Sequence, residues 1–95
     1  MEANKIIITG AATRMGAAIA KKLSGPGVEM VIHYNSSKSE AEKLQEELSK
    51  NKTKVYLVKG DLAKEQDLKK IIKFSKLKLK YFDCLVNNAS LFEND

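Results

Sequence analysis

The chain has 95 residues, 43% of them hydrophobic, and a formal net charge of +5 from 16 lysines and one arginine against 12 acids. That length admits one small domain with a modest core, and no segment approaches the roughly 18–20 apolar residues needed to span a bilayer. The apolar run Ile6–Ile8 is too short for a secretory leader. The single cysteine, Cys84, cannot form an internal disulfide, so a reduced, cytoplasmic setting is expected. The lysines of 69–80 alternate with apolar residues instead of forming one block, and arginine occurs once. That pattern reads as a solvated face and not as a nucleic-acid surface.

Hydrophobic periodicity changes regularly along the chain. Lys5–Thr9 is a β-branched run of the kind that forms a strand buried on both faces. Arg14–Leu23 places Met15, Ala18, Ile19 and Leu23 at helical spacing, and the following S24-G25-P26-G27 stops that helix, with Gly25 expected to close it. Val28–Tyr34 is a second strand. Ser39 and Glu42 have capping-box spacing for a helix reaching Lys50, with Ala41, Leu44 and Leu48 as its apolar stripe. Val55–Val58 is a third strand, ended by Gly60 and Asp61. A third helix runs from about Ala63 to Phe74 or a little beyond, with Leu68, Ile71, Ile72 and Ser75 on one side. Cys84–Asn87 is a fourth strand. This β-α-β-α-β-α-β alternation predicts an α/β, Rossmann-like half of a doubly wound parallel sheet, with strand order 3-2-1-4, over residues 1–95.

Ligands of open α/β sheets bind beyond the carboxyl ends of the strands. The polar, small-residue clusters Thr9–Gly16, His33–Ser37, Gly60–Leu62 and Asn87–Ser90 all fall there. In the first, Gly10 permits a sharp turn and Gly16 a close approach, while the start of the helix near Arg14 offers N–H groups to a phosphate. After the second strand, where an NAD-binding domain carries an acid for the ribose 2′-hydroxyl, H33-Y34-N35-S36-S37 has none before Glu40. Asn and Ser can donate to a 2′-phosphate and Arg14 can add a charge-assisted contact, so the expected cofactor is NADP(H). His33 reads as a packed or surface side chain and not as a catalytic base.

T9-G10-x3-R14-x-G16, D61-L62 and N87-N88-A89-S90, in this order and spacing, resemble the short-chain dehydrogenase/reductase family across essentially the whole chain. Arg14 and Ser90, where most members have glycine, together with H33-Y34-N35-S36-S37, are similar to its pteridine reductase branch, which includes dihydromonapterin and dihydrofolate-type reductases. The 3-oxoacyl-carrier-protein reductases share much of this half. The resemblance implies that Gly10, Arg14, the Met15 backbone and Gly16 line the cofactor phosphates. It implies that Asn35, Ser36 and Ser37 surround the 2′-phosphate, although the branch often has arginine at the position of Ser36. Asp61 and Leu62 would flank the adenine, and Asn88, Ala89 and Ser90 would pass along the nicotinamide ribose. Ser90 and Phe92 stand where the branch contacts its pterin; Phe92 is equally readable as a core aromatic.

The family's catalytic Ser and Tyr-x-x-x-Lys have no counterpart here. The one spacing match, Tyr34-x-x-x-Lys38, lies at a strand end and in the following loop. The sequence therefore predicts the cofactor half of an NADPH-dependent reductase of pterin-like or other small carbonyl or imine substrates, with a stand-alone nucleotide-binding or interaction module as the alternative. The apolar strand Cys84–Asn87 is expected to lie at a sheet edge, where either the rest of a longer protein or another chain would pair with it.

Overall fold

In a computed structural model of the protein, residues 4–88 are described. Four strands, β1 (Lys5–Thr9), β2 (Glu29–Tyr34), β3 (Lys54–Lys59) and β4 (Cys84–Asn87), alternate with three helices, α1 (Arg14–Leu23), α2 (Lys38–Lys50) and α3 (Glu65–Leu79). The strands form one parallel sheet in the order β3-β2-β1-β4. Register aligns Ile7 with Val31 on one side and with Leu85 on the other.

The unbroken apolar runs of β1 and β2 are used on both faces, because successive side chains point to opposite sides of a strand. Ile6, Ile8, Met30 and Ile32 pack with Ala20, Leu44 and Leu48 under α1 and α2. Ile7 and Val31 pack with Val58, Ile71 and Leu79 under α3. The two central strands are buried, whereas β4 alternates between half-buried and exposed residues along its length.

Several local expectations are corrected. The face that α1 turns to the sheet is Gly16 and Ala20, flanked by Ala17 and Ile19, while Met15 is 63% and Leu23 37% exposed. Small residues one turn apart let the helix sit close, and bulkier ones at the contact would hold it off. Gly25 does not close α1: Ser24 is the C-cap, in extended conformation, and its hydroxyl donates to the Lys21 carbonyl at 2.7 Å. The glycine that needs a left-handed conformation here is Gly27, at φ +83°. Ser39 does not cap α2, because the helix begins at Lys38 after Ser37 and so Ser39 lies inside its first turn. The third helix starts later and runs further than its spacing predicts. The fully buried Leu79 lies at its end, where the Lys5 ammonium donates to the Leu79 carbonyl at 2.8 Å. Of its expected stripe, Ile71 and Ser75 are buried, but Leu68 and Ile72 are exposed beside β4.

Candidate functional site

The turn after β1 is built around Gly10, at φ +63°, a conformation that favours glycine. Its N–H donates to His33 Nδ1 at 3.1 Å, and its carbonyl accepts from the Thr13 hydroxyl at 2.8 Å and from Asn88 Nδ2 at 3.2 Å. Thr13 is the N-cap of α1. Besides donating to Gly10, its Oγ1 accepts from the Gly16 N–H at 3.1 Å and from Asn88 Nδ2 at 2.9 Å, which uses the full capacity of a hydroxyl. The Thr13 carbonyl accepts from Ala17. The first-turn N–H groups of Arg14 and Met15 lie outside this cap and have no protein acceptor among the described residues, which is the arrangement in which a helix N-terminus takes an anion.

Gly16 is required by packing. A Cβ there would overlap the Gly10 carbonyl and lie 2.7 Å from Ala11 Cα and 2.9 Å from Asn88 Nδ2. The end of β4 is tied into the same turn: the Thr9 hydroxyl donates to Asn87 Oδ1 at 2.9 Å and accepts from the Asn88 N–H at 3.1 Å. Asn88, expected along the cofactor's ribose, thus spans the turn from Gly10 to Thr13 with its side-chain amide.

His33 is packed, at 2% exposure, and it joins two of the predicted clusters. Nδ1 accepts from Gly10, and Nε2 lies 2.7 Å from the Gly60 carbonyl, so the neutral tautomer carrying its proton on Nε2 satisfies both contacts. The Gly60 N–H in turn donates to the Tyr34 carbonyl at 3.1 Å. Beyond Gly60, Asp61 Oδ1 accepts from the Ala63 N–H at 2.9 Å and its own N–H donates to Asp67 Oδ2 at 2.8 Å. Leu62 packs against the core under α3. The sequence reading missed Thr13 and Asp67 as organisers of these turns. The Thr13-x-x-Gly16 spacing, an N-cap bonding to the third helical N–H, could have shown the first.

Past β2, Asn35 is half-buried, Ser36 is exposed, and Ser37 caps α2 through its carbonyl alone, which accepts from Ala41. Between α1 and α2 lies a crevice of about 310 Å³, lined by Arg14, Ala17 and Lys21 from one helix and by Glu40, Lys43 and Glu47 from the other. Lys21 and Glu47 pair across it at 2.9 Å, and the Lys21 ammonium holds the Glu47 carboxyl below its ordinary range. Arg14 makes no ion pair among the described residues. A second groove, about 420 Å³ and mainly apolar, lies between α3 and β4 and includes Leu68, Ile72, Phe82 and Leu85.

The structure thus brings Gly10, Arg14, Met15, Gly16, Asn35, Ser36, Ser37, Asp61, Leu62 and Asn88 to the carboxyl-end side of the sheet, each in or beside a turn that follows a strand. Ala89, Ser90 and Phe92 lie outside the described residues. Tyr34 ends a strand and is buried, while Lys38 opens the next helix, so the two do not share a helical face. Among the described residues there is no cluster of three His, Cys, Asp or Glu suited to a metal, and no helix is long and apolar enough to cross a membrane.

Comparison with known proteins gives a consistent result. The family model described as short chain dehydrogenase matches residues 4–95. The short-chain dehydrogenase/reductase homolog YusS of Bacillus subtilis is 33% identical over 89 residues, which are 93% of this chain and 82% of that protein. The 3-oxoacyl-[acyl-carrier-protein] reductase of Staphylococcus epidermidis is 29% identical over 94% of this chain, but this chain spans only 36% of its length. Among solved structures, FolM alternative dihydrofolate reductase 1 from Brucella canis, complexed with NADP, is 34% identical and superposes with a TM-score of 0.80. That match covers 100% of this chain and 38% of FolM.

Proposed function

Since the chain belongs to the short-chain dehydrogenase family, we propose that it is the NADP(H)-binding half of a short-chain reductase, acting on a pterin-like or other small carbonyl or imine substrate. The observation that carries this reading is the Arg14 guanidinium, without an ion pair among the described residues, at the open N-terminus of α1 beside a β2 end without an acid. NADPH, when bound, supplies the hydride. The residues of this chain bind and orient it: the Arg14 and Met15 N–H groups face the phosphates, and Gly16 allows the helix to come close enough for them to do so. Asn35, Ser36, Ser37 and Arg14 hold the 2′-phosphate, and Asp61 and Leu62 flank the adenine. Asn88 keeps the turn in shape beside the nicotinamide ribose, with Ala89 and Ser90 continuing along it. Ser90 and Phe92 contact the substrate.

The pterin preference is supported by the likeness to FolM, which spans the whole chain. The likeness to a 3-oxoacyl reductase keeps other carbonyl substrates in the proposal. A nucleotide-binding module without catalysis of its own is the second reading, favoured by YusS, of which this chain spans 82%. In either case the β4 edge and the apolar groove beside it form the surface for self-association or for pairing with a complementary half. The free Cys84 fits a reduced, cytoplasmic setting.

Titration of the chain with NADPH and NADH tests the cofactor assignment. NADPH is expected to bind more tightly, and Arg14→Glu to weaken NADPH by roughly ten- to a hundredfold with little effect on NADH. Equal affinities in the unmodified chain would refute the assignment, and a uniform loss in the variant would show only a damaged turn. Reduction of a dihydropterin by an assembly of this chain with a partner carrying Ser and Tyr-x-x-x-Lys would establish the reaction.

A further inference from the structure

The sequence shows no acid after β2 before Glu40, five residues past Asn35, which is too far along the chain to count as a partner of the ribose. The fold changes that distance. Both α1 and α2 follow strands of one parallel sheet and cover the same face, so they run alongside each other in the same direction. The Lys21–Glu47 contact at 2.9 Å fixes their relative register. Moving seven residues back on each helix, about two turns, leads from Lys21 to Arg14 and from Glu47 to Glu40. Arg14 and Glu40 therefore lie at the same level, and both line the 310 Å³ crevice.

The crevice holds three cationic and two anionic side chains. Glu47 is neutralised by Lys21. Among the described residues Glu40 pairs with Lys43 on its own helix, at 3.7 Å, with both side chains more than 60% exposed. A pair that long and that exposed is worth little and leaves much of the carboxylate's field uncompensated. Resting on the reading of Arg14 as a holder of the 2′-phosphate, we propose that Glu40, which lines one crevice with Arg14, is a specificity-determining residue: from α2 it opposes the anion that Arg14 attracts from α1, and so limits the preference for NADPH over NADH. Without a 2′-phosphate there is no second anion for Glu40 to repel, so its influence falls on one cofactor and not on the other.

The test compares the 95-residue chain with its Glu40→Gln and Glu40→Asp variants, each titrated with NADPH and with NADH at low and high salt. Glu40→Gln is expected to tighten NADPH by about three- to tenfold and to leave NADH within about twofold. The gain should shrink in roughly 0.5 M salt, where the screening length falls to a few ångströms. Glu40→Asp, which keeps the charge, should behave as the parent. Equal tightening of both cofactors, or a gain indifferent to salt, would overturn the role given to Glu40, as would a parent preference for NADPH that Glu40→Gln leaves unchanged. If the parent binds neither cofactor, the cofactor reading falls and this inference falls with it.

Discussion

At the scale of single residues, the site depends on a few side chains that have no exposed surface to offer a ligand. His33 is the clearest. It holds the Gly10 N–H and the Gly60 carbonyl from one ring, so the turn after β1 and the turn after β3 are set by the same side chain. Replacing it with alanine would leave both backbone groups buried without partners and open a cavity. His33→Ala is therefore expected to cost about 2–4 kcal/mol in urea unfolding. A loss below 1 kcal/mol would mean that the two turns hold their shape without it. The sequence left His33 as a packed or surface side chain, and the structure buries it; its bridging role needed the spatial neighbourhood of Gly60, 27 residues away. Glu40 is the opposite case: the sequence named it only to set it aside, because distance along the chain hid its place opposite Arg14.

At the scale of elements, each helix start does a different job. Thr13 caps α1 with its side chain and fastens the helix to Gly10 and Asn88, leaving two N–H groups for a ligand. Thr13→Ala should destabilise the fold by about 1–2 kcal/mol, the usual worth of an N-cap, measured as a shift of the urea midpoint at constant slope. Thr13→Ser, which keeps the hydroxyl, should restore most of it. Ser37 opens α2 without a side-chain cap. The elements themselves were legible: all seven occur in the order that periodicity predicts. Their ends and faces were less so. The stripe on α1 misled because its apolar residues outnumber its buried ones, and the deciding contact is the fit of Gly16 and Ala20 against the sheet. The capping box on α2 misled because Ser37, two residues earlier, is an equally good boundary by type, and spacing alone cannot rank them.

At the scale of the whole molecule, the sheet has an open side. Among the described residues β4 pairs only with β1, and Leu85, 55% exposed, faces a groove shared with Leu68, Ile72 and Phe82. A strand edge beside an apolar groove favours association. Sedimentation is expected to show concentration-dependent self-association, reduced by Leu85→Lys with NADPH affinity unchanged; a monomer at high concentration in the parent would contradict it.

By itself the sequence determined the α/β class, the strand order, the family and the position of the glycine turn after β1, because these follow from local periodicity and from motifs a few residues long. Only the tertiary structure decided which faces are buried, that one histidine joins two turns, and that Glu40 stands level with Arg14. Those are relations between segments distant in the chain, set by how closely the helices settle on the sheet.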